Sequence, residues 1–130
     1  MRHSYNTLSN AARILKDVVL PKSLYLAYVK MRRVLVAVEK DRDEVVKKLH
    51  DDFGQEMDNV INMRNQGAPI TGHEAYLKAE REANVVLGEL FNEEHHVDFG
   101  DIDENTLVDD LLSTGLKADE AAYVQEIILG

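Results

Sequence analysis

The chain has 130 residues, 45% of them hydrophobic, and carries 24 acidic residues against 15 basic ones for a net charge of −9. It has no cysteine, which excludes disulfides, cysteine–zinc sites and thiol catalysis. Its acidity makes it a poor general binder of nucleic acid or of an anionic membrane. No apolar run approaches the roughly 20 residues needed to span a bilayer, and Met1–Ser9 lacks the apolar stretch of a signal peptide. The expectation is one helical domain over 1–130 that works in the cytoplasm.

The first predicted element is a short helix capped by Thr7 or Ser9 and running to about Val18, with Leu8, Ala12, Leu15 and Val19 on one face. Pro21 ends it and suits the first turn of the next helix.

Lys22 to Phe53 contains neither Pro nor Gly, and Gly54 stands where a C-terminal cap would. Leu24, Tyr28, Met31, Leu35, Val38, Arg42, Val45 and Leu49 alternate steps of four and three, the period of a coiled-coil seam. Arg42 alone breaks the apolar run, either setting register or snorkelling to water. Val29, Val34, Val36 and Val46 add a second apolar flank, which calls for a second neighbour.

Residues 54–72 are punctuated by Asn59, Asn62, Asn65, Gly67, Pro69 and Gly72. They read as an insertion, either a weak β-hairpin around Asn65-Gln66-Gly67 or a flexible loop. Thr71 and Glu74 fit a capping box for a third helix over about 72–94. Its stripe is Tyr76, Ala79, Ala83, Val86 and Leu90. The second and third helices should form a long antiparallel hairpin. His96 to Ile102 alternates polar and apolar residues and predicts a short strand or extended segment. Glu104–Ser113 and a helix opening at Lys117-Ala118 complete an acidic C-terminal cap over 95–130.

Charge is distributed unevenly along this frame. Residues 1–33 hold seven basic residues against Asp17 alone, whereas 93–130 hold eleven acids against Lys117 alone. Lys30, Arg32 and Arg33, with Tyr28 nearby, are the best candidate anion site. They could capture a phosphate or nucleotide, or dock the acidic tail of a neighbouring copy, and the presence of that tail on the same chain favours the second use. Glu93-Glu94-His95-His96 tempts as a metal cluster, but adjacent side chains on a helix point about 100° apart. Asp98, Asp101, Asp103 and Glu104 do not match the EF-hand spacing. No set of nucleophile, base and oxyanion donors can be named, so neither an enzymatic activity nor a cofactor is expected.

Leu20-Pro21 leads into a long helix carrying Ala27-Tyr28 and Val38-Glu39-Lys40 and closing at Phe53-Gly54. There follow a polar insertion, a helix with Tyr76, Glu80 and Leu87-Gly88-Glu89-Leu90, the extended Val97 to Ile102, and a final Ile127-Ile128-Leu129. From Leu20 onward this pattern resembles a family of small bacteriophage-encoded helical proteins to which no activity is attached. The segment after Gly54 departs from the acidic, glycine-rich turn of that family. The resemblance implies a phage setting and a non-enzymatic assembly or accessory role in the host cytoplasm or in the virion.

The expected protein is therefore mainly α, a helical hairpin with short flanking helices and at most a minor β-hairpin. Its seam of Leu24, Tyr28, Met31, Leu35, Val38, Val45 and Leu49 would meet a second copy, another phage protein or a host protein. The alternative is an anti-defence protein that sequesters a host protein or signalling nucleotide through Lys30, Arg32 and Arg33.

Overall fold

Serine, aspartate and glycine mark most of the helix ends in the computed structural model, which describes residues 2–130. A strand β1 (Arg2–Ser4) leads directly into α1 (Tyr5–Lys16), and α2 (Lys22–Asn65) follows. After α3 (Glu74–Asn92) come β2 (Glu94–His96), α4 (Glu104–Ser113) and α5 (Ala118–Leu129). The chain is mainly α, as its periodicity predicts. No described helix is long and apolar enough to cross a membrane.

Local chemistry sets these boundaries. Ser4 accepts the Thr7 amide at 3.3 Å and caps α1, so the cap lies before the expected Thr7 or Ser9. The Pro21 carbonyl accepts the Tyr25 amide at 2.9 Å, which places Pro21 just outside α2 rather than in its first turn. Asp103 accepts the Thr106 amide at 3.0 Å and caps α4. Asp119 and Glu120 lie in the first turn of α5, where the helix dipole favours them.

The largest departure from expectation is the end of α2. Gly54 lies inside the helix, which continues to Asn65, so most of the predicted 54–72 insertion is helical. The stop is Gly67, whose φ of 66° is left-handed. Its amide bonds to the Arg64 carbonyl and the Ala68 amide to the Met63 carbonyl, the two bonds of a Schellman cap. Pro69 then bars continuation. The left-handed Gly72 and His73 (φ 73° and 60°) complete the turn. Glu74 is the first residue of α3, so the expected capping box at Thr71 does not form. The β element is not a hairpin around Asn65. It is the antiparallel pair β1–β2, in the register Arg2 with His96, His3 with His95 and Ser4 with Glu94.

The described residues divide into two compact units, one comprising the chain up to Val38 with Phe91–Gly130, the other Glu39–Leu90. The first unit has a true core. Leu8, Ala11 and Leu15 from α1 meet Leu24, Ala27, Met31 and Leu35 from α2. Leu107 and Leu111 from α4, Val124 and Ile127 from α5, and Val97 and Phe99 between β2 and α4 complete it. Each fully buried Leu or Ile stabilises the unit by about 2 kcal/mol of apolar transfer. The His3 Nε2–H donates to the Ile127 carbonyl at 2.9 Å, and the Tyr123 hydroxyl donates to the Thr7 carbonyl at 3.2 Å. The Tyr5 and Phe91 rings stand 5.0 Å apart.

The second unit is built differently. It holds α2 from Glu39 onward, the turn 66–73 and α3 to Leu90, and its only fully buried hydrophobic side chains are Val60 and Tyr76. Phe53 packs edge-on to Tyr76 at 5.8 Å. The Tyr76 hydroxyl donates to Glu80 at 2.8 Å.

Candidate functional site

The predicted seam divides into two parts with different fates. Leu24, Met31, Leu35 and Val38 are at most 3% exposed. Leu24, Met31 and Leu35 belong to the core of the first unit, and Tyr28 packs against that core half-buried. The chain itself covers this stretch, which corrects the expectation that these residues meet a partner. The α1, α4 and α5 helices supply the neighbours that the heptad period demanded.

Val45 and Leu49 remain half-buried. With Phe53 they form the α2 wall of a groove of about 410 Å³, and Ala79, Ala83 and Val86 form its α3 wall. Glu44, Lys48, Asp52 and Glu82 stand at its edges, and Lys48 pairs with Asp52 at 2.9 Å. The alanines explain the width of the groove, because a methyl group cannot reach across to the opposite helix. Val46, Val85 and Val86 are 41%, 62% and 43% exposed on the same two helices. Two helices that bury so little of their apolar surface are open to a third partner. The stripes Val45–Leu49 and Tyr76–Ala79–Ala83–Val86 were legible in the sequence. Phe53 was not singled out, because it stood next to the expected cap at Gly54.

The basic candidates do not form a single site. Lys30 reaches the acidic loop after β2, its Nζ lying 3.9 Å from where a β-carbon on Gly100 would stand. Arg32 is half-buried and Arg33 exposed. Arg33 and Arg2 line a cavity of about 450 Å³ together with Glu93, Glu94, His95 and His96. Carboxylates in that cavity oppose phosphate capture and suit internal charge pairing. Ser23 at the start of α2 also donates to Asp110 of α4 at 2.5 Å. The basic head and the acidic tail thus meet within one chain.

Two of the acids in the loop before α4 have structural duties. Asp98 accepts the Gly100 amide at 2.8 Å, and Asp103 caps α4. Among the described residues, no group of three or more His, Asp or Glu side chains could hold a metal ion. His95 and His96 lie on β2, where alternate side chains point to opposite faces. Arg42 is half-buried and donates to Asp43 at 3.1 Å.

No protein-family model matches this chain, and neither the curated proteins nor the solved structures contain a match to it.

Proposed function

We propose that this is a non-enzymatic assembly protein that works by helix docking through the groove between α2 and α3. The observation that carries this reading is the half-buried apolar wall Val45–Leu49–Phe53, which faces two alanines across about 410 Å³. A third helix would fill that space and bury Val86 and its neighbours. The phage setting rests on the sequence resemblance described above, which suggests a structural or assembly role in the virion or the host cytoplasm. Capture of a signalling nucleotide by Lys30, Arg32 and Arg33 is the weaker alternative, because Glu93 and Glu94 share the Arg33 cavity.

Native mass spectrometry of the protein recovered under mild conditions tests this reading. A stoichiometric complex, with itself or with a second protein, is expected for the wild type. Ala83→Glu, which places a carboxylate in the groove, should abolish it. A wild-type complex that survives Ala83→Glu, or a monomer retaining a small molecule, contradicts groove docking.

A further inference from the structure

Five of the half-buried residues of α2 beyond Val38 share one strip: Arg42, Val45, Leu49, Phe53 and Glu56. Their spacing is three, four, four and three, the same in either direction from Leu49. At 3.6 residues per turn they fall within an arc of about 80°, with Leu49 at its centre. The chemistry is paired as well. Val45 and Phe53 flank the centre, and the two ends carry opposite charges.

We infer that the occupant of the groove is a second copy of this chain, with the two α2 helices antiparallel about a two-fold axis at Leu49. This deepens the docking function proposed above and rests on it. A two-fold interface uses the same patch twice, so each residue must suit its mirror position. Here Leu49 meets Leu49 of the second copy and Val45 meets Phe53. Arg42, the one charge that breaks the seam, meets Glu56. A parallel pairing would set Arg42 against Arg42 and Glu56 against Glu56, and like charges at a close interface disfavour it. An unrelated partner would place no such symmetry on the strip. Among the described residues, Arg42 donates to the exposed Asp43 at 3.1 Å. Its fork has further N–H donors to offer. Glu56 lies 3.8 Å from His73 Nδ1, a weak pairing that leaves carboxylate acceptors for Arg42 of the second copy. Ala79 and Ala83 on α3 leave room for the incoming helix.

Charge exchange tests the pairing directly. Wild type should sediment with twice the 14.7 kDa mass of the chain. Arg42→Glu alone and Glu56→Arg alone each set like charges against each other, and each should weaken the dimer at least tenfold. The two variants mixed together, and the double variant, should regain it. Because the chain has no cysteine, Leu49→Cys provides a second readout that does not depend on charge. It should form a disulfide-linked dimer on mild oxidation, whereas Asp58→Cys, on the opposite side of the helix, should not. A wild-type monomer overturns the second copy as occupant. It leaves groove docking intact if Ala83→Glu still abolishes a complex with another protein. A dimer indifferent to both single exchanges, with no Leu49→Cys cross-link, overturns the register and the axis.

Discussion

Arg64 on α2 donates to both carboxylate oxygens of Glu80 on α3, at 2.7 and 2.5 Å. The Tyr76 hydroxyl shares the same carboxylate at 2.8 Å, so one acid holds two donors. In a unit with so little buried apolar surface, this cluster ties its two helices together. The Arg64 hydrogen bonds are the main force holding Glu80 below the usual carboxylate range, and the Tyr76 hydroxyl adds to them.

An acid depressed in the folded state stabilises above its ordinary pKa, and that contribution is lost as pH falls through the folded value. Glu80→Gln should therefore melt at lower temperature than wild type at neutral pH. The gap should narrow as pH falls below the ordinary carboxylate value of 4.5 and close as it passes through the lower folded value of Glu80. Melting curves of the two proteins across this range check the sign.

Tyr76 shifts in the opposite direction. Burial, and then its bond to Glu80, push the phenol up to about 12. A raised phenol stabilises fully below its ordinary value of 10.0 and loses that contribution as pH rises toward about 12. Tyr76→Phe should cost about 1 kcal/mol at neutral pH. It should also remove a step of phenolate absorbance near pH 12, which an alkaline spectrophotometric titration would show.

The two glycines of α2 and its cap should respond in opposite ways to alanine. Gly67 is left-handed, so Gly67→Ala should destabilise by about 1 kcal/mol. Gly54 is helical with nothing within 4 Å of an added β-carbon, so Gly54→Ala should stabilise by up to about 1 kcal/mol. Denaturant melts of the pair would decide which glycine ends the helix.

Leu35 and Leu49 occupy equivalent seam positions in the sequence, but the structure gives them different work. Leu35→Ala opens a cavity in the core of the first unit and should cost about 3 kcal/mol. Leu49→Ala removes groove surface, and under dilute conditions should cost about 1 kcal/mol or less. Its main effect should be on association, measured by sedimentation.

These contrasts show what the sequence could reveal. The heptad step located α2 and its buried face, because a period of 3.5 is visible without tertiary context. It could not show that Leu24, Met31 and Leu35 are satisfied within the chain, since α4 and α5, which join α1 in covering them, lie far away in sequence. The helix stop was misplaced because Gly54 and Gly67 look alike as letters. The informative sign was Pro69 two residues after Gly67, which marks a C-cap as readily as a hairpin turn. Pairing of β1 with β2 joins residues ninety or more positions apart, and three-residue strands leave no periodic trace. The groove was half legible, as two apolar stripes, but its width depends on Ala79 and Ala83 facing Leu49 and Phe53.

Hydrogen exchange along α2, in dilute and in concentrated protein, tests the central claim most directly. If the groove is filled by a second copy, amides from Arg42 to Glu56 gain protection as concentration rises. Those from Leu24 to Leu35, already packed within the chain, do not change. Equal exchange of the Arg42–Glu56 segment at both concentrations, in a protein that remains monomeric, would contradict it.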